Sequence, residues 1–380
     1  MKITNVENIF IDGFMFVKVH TDEGITGLGE SGAWAFLEAS AAAVDTFKRY
    51  LIGQDPLLIE HHWQYMYRCY HFRGAAIMGA ISAIDIALWD IAGKFYGVPT
   101  YKLMGGKCRD KARVYYHVYG KTTQELVDGC INAKQMGFTA IGHLTPFLDT
   151  PRGDSYPFET HSGKIRTAID RVRQYREAVG DDVDLCIEIH RRLKPHEAIV
   201  LAKGIEEFHP LFYEDPTLPE NFDSMALIAE HIDIPIATGE RLNNLQEFAM
   251  LLQRKAVHYV RPDVCMCGGI TSAKKIAAMA EAFDVDVVPH NPLSPVSTAA
   301  CIQIAACIPN FAIQEYPKGE GESPRINIVK SAIELKNGFL TIPNVPGIGV
   351  ELIEGAEERY PYRPINFKAC FNDDGSVADR

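Results

Sequence analysis

The stretch Asp184-Leu185-Cys186-Ile187-Glu188-Ile189-His190 decides the fold once it is set beside Leu211-Phe212-Tyr213-Glu214-Asp215-Pro216 and Ile234-Pro235-Ile236-Ala237-Thr238-Gly239-Glu240. Each is a short apolar run, rich in branched or aromatic side chains, that closes on an acidic residue. An amphipathic stretch of helix length follows each one. Glu188, Glu214 and Glu240 stand 26 residues apart, and the series continues with Asp263, His290 and Glu315 at intervals of 23, 27 and 25. A polar group that returns once per βα unit predicts that all six meet at one mouth of a parallel barrel, at the strand C-termini where such folds carry their chemistry.

Working outward, the same texture predicts strands at Arg113 to Tyr119, Thr139 to Leu144, Asp184 to Ile189, Leu211 to Glu214, Ile234 to Thr238, Val257 to Arg261, Val285 to Val288 and Phe311 to Gln314. Eight strands alternating with helices is the count that closes a TIM-type (β/α) barrel, here over residues 112–348. One long insertion, Thr145 to Ser162, follows the second strand on the side where active-site loops lie. Residues 1–111 read as an α+β capping domain. Strands are expected at Ile3 to Ile11, Phe14 to Thr21 and Ile25 to Leu28, and helices over Ala33 to Tyr50, Leu57 to Tyr70 and Gly74 to Tyr96. The tail, 349–380, has few periodic apolar residues and is expected to pack back on the cap.

Composition narrows the partners. A net charge of -11 and a pI near 5.6 argue against nucleic acid, whose phosphates need a basic surface. An anionic substrate would then need local positive charge, which a metal ion supplies. No apolar run of signal-peptide length follows Met1, and the longest apolar stretch, Gly74 to Ile91, is interrupted by Asp85 and Asp90, so neither export nor a membrane partner is expected. Nine cysteines without a framework spacing fit a reducing, cytoplasmic setting, and Cys265-Met266-Cys267 reads as barrel wall beside a tight turn.

So many carboxylates in one mouth would repel and take up protons unless a cation held them ionised. Three glutamates with few soft donors favour a hard, oxygen-seeking ion such as Mg²⁺. His290 lies between Pro289 and Asn291-Pro292 at a strand end, and Asp263 at the preceding strand end could bond one ring nitrogen and raise the basicity of the other. His190, two residues past Glu188, is expected on the same face of its strand.

With these residues in hand, the chain resembles the enolase superfamily in its mandelate-racemase-like branch, closest to the galactonate dehydratases, with mannonate dehydratases second. The likeness is carried by Thr21-Asp22-Glu23-Gly24, Gly53-Gln54-Asp55-Pro56 and Asp85-Ile86-Ala87-Leu88-Trp89-Asp90 in the cap. In the barrel it is carried by Glu214-Asp215-Pro216, Gly239-Glu240-Arg241, Arg261-Pro262-Asp263 and Pro289-His290-Asn291-Pro292. The resemblance implies that Glu188, Glu214 and Glu240 bind Mg²⁺, that His290 with Asp263 removes the proton beside a substrate carboxylate, that His190 protonates the departing hydroxyl, and that Glu315 bonds a substrate oxygen. It implies a homo-oligomer that dehydrates a sugar acid, an aldonate such as galactonate or gluconate, to a 2-keto-3-deoxy acid. A catalytically silent sugar-acid-binding relative is the alternative from another class.

Two departures stand out. Much of the branch has aspartate where this chain has Glu188. Racemases of the branch carry a lysine on the second strand, where this chain reads Ala140-Ile141-Gly142-His143-Leu144; mannonate dehydratases carry an arginine there. Tyr156, in the insertion, is a candidate to replace some of that chemistry.

Overall fold

The computed structural model describes residues 1–69 and 71–379. The chain opens with an antiparallel meander of β1 (Ile3–Ile11), β2 (Phe14–Thr21) and β3 (Thr26–Glu30). Three helices follow: α1 (Leu37–Leu51), α2 (Ile59–Arg68) and α3 (Ala75–Phe95). The first was expected from Ala33; it starts later because Ala35 adopts φ 66°, a left-handed conformation that a right-handed helix cannot include. The second was expected to reach Tyr70, which lies outside the described residues, as does Arg380 at the end of the tail.

Backbone packs on backbone where β3 crosses α3: a Cβ on Gly29 would lie 1.9 Å from the Ala83 carbonyl oxygen. Among the described residues α3 alone is long and apolar enough to cross a membrane, yet 78% of that apolar window is buried in the protein. Its acids tie the cap to the barrel. Asp85 accepts bonds from Thr271 N (2.9 Å) and Oγ1 (2.6 Å), and Asp90 accepts from Leu28 N (3.0 Å) and Ile348 N (2.9 Å). A buried carboxylate needs such partners, so the two residues that interrupt the apolar pattern carry the domain seam.

The second unit is a closed ring of eight parallel strands: β4 (Lys111–His117), β5 (Ala140–Leu144), β6 (Asp184–Glu188), β7 (Phe212–Glu214), β8 (Ile236–Thr238), β9 (Tyr259–Val260), β10 (Asp286–Val287) and β11 (Gln314–Tyr316). β11 pairs with β4, and the ring closes where Val287 bridges Phe311 and Ala312 N donates to the Val287 carbonyl at 3.0 Å. Tyr115, Ala140, Cys186, Phe212, Ala237, Val288 and Ile313 fill the interior, one or more from most of the strands. The last strand was expected at Phe311 to Gln314. Phe311 bonds only toward β10, and the ladder with β4 begins at Gln314, so Glu315 lies inside its strand and not beyond it.

The tail does three things, and it does not start on the cap: Leu352 bridges Val329, and Lys330 N donates to the Glu351 carbonyl at 2.8 Å, so its first residues stay with the barrel unit. Asp12 and the segment around Tyr360 to Arg363 exchange backbone bonds, and Tyr362 packs on Phe10 in the cap. Past Phe367 it leaves the cap: Cys370–Phe371 and Val377–Ala378 form a hairpin whose first strand bonds Asp154 and Tyr156 of the barrel insertion.

Candidate active site

Every polar residue of the strand-end series reaches one mouth. Glu188 and Glu214 are the last residues of β6 and β7, and Glu240 stands two past β8, after Gly239 at φ 136°. One carboxylate oxygen from each lies within 4.8 Å of the others. Burial drives the Glu214 carboxyl well above its ordinary range, Arg261 opposes this, and the charges of Glu188 and Glu240 push it further up. Three acceptor-only groups that cannot all ionise unaided are a donor set suited to a hard divalent cation, and the residues present fit one.

Each carboxylate also has a basic side chain against it. Arg261, 1% exposed, places Nε 2.5 Å from Glu214 Oε1 and donates through Nη2 to Glu315 Oε2 and through Nη1 to Tyr115 Oη, both at 2.6 Å. Arg191 donates to Glu240 Oε1 (2.7 Å) and lies 3.2 Å from Asp215 Oδ2. Glu188 sits between two imidazoles, His190 Nε2 at 2.7 Å from Oε1 and His143 Nδ1 at 3.0 Å from Oε2. Burial would raise the Glu188 carboxyl, but His190 and His143 hold it well below the usual range.

His290 Nδ1 meets Asp263 Oδ2 at 2.8 Å, and its Nε2 is 3.4 Å from Glu240 Oε2. The Asp263–His290 contact is reinforced by a parallel backbone bridge between the two residues, and Cys265 N donates to Asp263 Oδ1 at 2.8 Å. The ring is thus fixed with Nε2 turned to the mouth. Burial alone would lower the His290 imidazole, but Glu315, Glu240 and Asp263 outweigh it and raise it to about 9. Glu315 accepts from Asn291 N and faces His117 Nε2, both at 2.8 Å. Burial would raise Glu315; Arg261, His290 and His117 hold it below its ordinary range.

His190 shares a wall with Glu188 as expected, though by a different route. β6 ends at Glu188, and His190 at φ 53° followed by Arg191 at φ 65° forms a left-handed turn that swings the imidazole back toward the carboxylate. His190 Nδ1 is buried without a hydrogen-bond partner among the described residues.

His143, His117, Arg191 and Arg261 are site residues that sequence reasoning did not name. Between β5 and β6 the register jumps from Ile141↔Leu185 to Leu144↔Ile187, a bulge that spends one extra residue on β5. At that bulge His143 takes φ 55° and enters the mouth, while Gly142 gives way to Tyr115: a Cβ there would be 2.2 Å from the Tyr115 ring. A side chain at position 142 would therefore collide with the Tyr115 ring. Tyr156 lines a cavity of about 630 Å³ between the insertion, the Arg191 to Lys194 turn and the C-terminal hairpin, with the Arg192 guanidinium 5.6 Å from its ring.

A parallel barrel with acids and imidazoles at successive strand ends, under an α+β cap, defines a class, and the comparisons agree with it. Residues 4–105 match the mandelate racemase/muconate lactonizing enzyme N-terminal domain, and residues 130–356 match the enolase C-terminal domain-like family. The chain belongs to the enolase superfamily, in its mandelate racemase/muconate lactonizing enzyme branch. It is 37% identical to a D-galactonate dehydratase of Ralstonia pickettii across the whole of both chains, and 38% identical to one of Verminephrobacter eiseniae over 93% of each. Among solved structures, an enolase of Agrobacterium radiobacter with bound sodium and L-malate superposes at TM-score 0.92, with 32% identity and complete coverage of both chains. An enolase-superfamily member from Salmonella Typhimurium superposes at 0.88, with 33% identity over 95% of this chain and 98% of the other. Within the superfamily the chain is an enzyme of the hydro-lyase class, an acid-sugar dehydratase.

Proposed function

We propose that the protein dehydrates an aldonate of the galactonate or gluconate kind to the 2-keto-3-deoxy acid, with Glu188, Glu214 and Glu240 holding Mg²⁺. The observation that carries this is the pairing of two imidazoles with three convergent carboxylates: His290 on Asp263 at one wall, His190 on Glu188 at the other. When bound, the ion supplies Lewis acidity to the substrate carboxylate oxygens.

His290 Nε2 takes the proton from the carbon beside the carboxylate. Asp263 holds the ring in the tautomer that leaves Nε2 free to accept, and stabilises the imidazolium that forms. A cation held at Glu240 would weaken the pull that this carboxylate exerts on the His290 proton. His190 delivers a proton to the hydroxyl leaving from the next carbon, which yields an enol that becomes the 2-keto-3-deoxy acid. Arg261 holds Glu315 in place to bond a substrate oxygen. The D-galactonate dehydratases among the relatives support an aldonate over other acids.

The test is a panel of C5 and C6 aldonates and aldarates incubated with the purified protein and Mg²⁺, with 2-keto-3-deoxy product read by a carbonyl reagent. One aldonate consumed, and the product lost on chelation, is expected. Silence across the panel despite measured Mg²⁺ binding would reject the dehydratase assignment in favour of a binding protein.

A further inference from the structure

We infer that His143, Glu188 and His190 form a second metal site, selective for a borderline-soft divalent ion such as Zn²⁺, beside the three-glutamate site and sharing Glu188 with it. His143 Nδ1, a Glu188 oxygen and His190 Nε2 all lie within 4.8 Å of one another. Two imidazoles and one carboxylate, with a further position open to water, is a donor set that zinc takes and that magnesium, bound through oxygen, does not.

The site is held in place by backbone that is costly to form. His143 and His190 stand at φ 55° and 53°, in the left-handed region that non-glycine residues seldom adopt, and they come from β5 and from the turn after β6 to bracket one carboxylate. The His143 ring is further fixed by Tyr119 at 4.4 Å and by stacking on His117 at 5.3 Å. His190 meets it edge-on, with centroids 4.7 Å apart. The three side chains are 17%, 7% and 18% exposed, so the donors are desolvated but reachable from the mouth.

Glu188 explains why the two sites can coexist. Its two oxygens are engaged separately, Oε1 by His190 and Oε2 by His143, and either can turn to a second ion while the other stays. An ion on the imidazoles would withdraw His190 from proton transfer, so an occupied soft site blocks turnover while leaving the three-glutamate site free to fill. The inference is independent of the dehydratase reading, because imidazole ligation can be present or absent whatever the three glutamates hold.

The experiment uses metal-stripped full-length protein and two probes. Co²⁺ is titrated in saturating Mg²⁺ and followed by its visible absorption, for wild type and for His143→Asn, a residue that tolerates the left-handed backbone. Mg²⁺ binding is measured separately by calorimetry. Wild type is expected to give a nitrogen-ligated Co²⁺ spectrum that Zn²⁺ abolishes by displacement. His143→Asn is expected to lose Co²⁺ affinity by about tenfold or more, at or beyond what losing an outer-shell partner costs a metal site, while still binding Mg²⁺. Equal Co²⁺ affinity and the same spectrum in both proteins would overturn the inference. Should the variant not fold, pulsed EPR of Cu²⁺-loaded wild type decides: two coupled imidazoles support the site, and one or none overturns it.

Discussion

Arg261→Met tests whether the barrel interior is built around one guanidinium. The side chain is almost wholly buried and touches Glu214, Glu315 and Tyr115 at 2.5, 2.6 and 2.6 Å. Methionine keeps much of the volume and removes the charge. Taking one partner from a buried ion pair costs about 3–5 kcal/mol, and the lost bond to Tyr115 adds about 1 kcal/mol. Protonation sets a ceiling per acid: neutralising one carboxylate at pH 7 costs about 3 kcal/mol from its ordinary pKa, so the orphaned acids take up protons before the penalty grows larger. The expected destabilisation is therefore about 4–6 kcal/mol, read from urea unfolding at pH 7. Saturating Mg²⁺ should restore more stability to the variant than it adds to wild type, because it replaces the missing charge beside Glu214. A loss below about 1 kcal/mol, the range of an ordinary surface change, would refute the reasoning.

His290→Asn should lower turnover by about 10²–10⁴-fold, the usual worth of a positioned general base; product formation near the wild-type rate would remove His290 from that role. Gly142→Ala should cost about 1–3 kcal/mol in urea unfolding, since its Cβ would meet the Tyr115 ring at 2.2 Å, and a neutral result would mean the ring yields freely. Glu30, at the cap–barrel seam, accepts from Ser294 Oγ at 2.6 Å and Ser297 N at 2.9 Å, and burial pushes its carboxyl from 4.5 up to about 8 against those donors. A carboxyl raised by folding contributes stability that is present below its unfolded value and is lost as pH rises through the folded one. Glu30→Gln should thus flatten the decline in unfolding midpoint between pH 4.5 and about 8, and an unchanged slope would exonerate Glu30.

What could be read beforehand was whatever repeats. Strand alternation and the interval of 26 residues between glutamates follow from the βα period, which survives local irregularity. What could not be read was whatever depends on a departure from that period. His143 sits at a bulge, and strict alternation aims its neighbour Gly142 inward in its place; nothing in Ala140 to Leu144 announces the extra residue. His117 differs, since it closes β4 as Glu188 closes β6, so the rule that found the glutamates would have found it. Arg261 stands in the Arg261-Pro262-Asp263 motif without any sign of its partners, and Arg191 carries no such sign either, because a cation's partners come from other strands and pairing across a barrel leaves no local mark in the chain.

These missed residues share one task. Arg261 stands against Glu214 and Glu315, Arg191 against Glu240 and Asp215, and His143 with His190 against Glu188. An acidic mouth without them would fold only with its carboxylates protonated or splayed apart, and would have to deprotonate and reorganise to take a cation. With them, the acids are held in place, and Glu188, Glu240 and Glu315 are held ionised, by contacts that a cation need only share. The cost is competition, because each brace holds a lone pair that a ligand wants. The braces therefore differ in kind. Arg261 is enclosed and always charged, whereas the Glu188 wall is braced by imidazoles, whose ring nitrogens can also serve as metal ligands. On that reasoning the wall built from Glu188 and its two histidines is the part of the site whose state can change, and the wall around Arg261 is the frame it changes against.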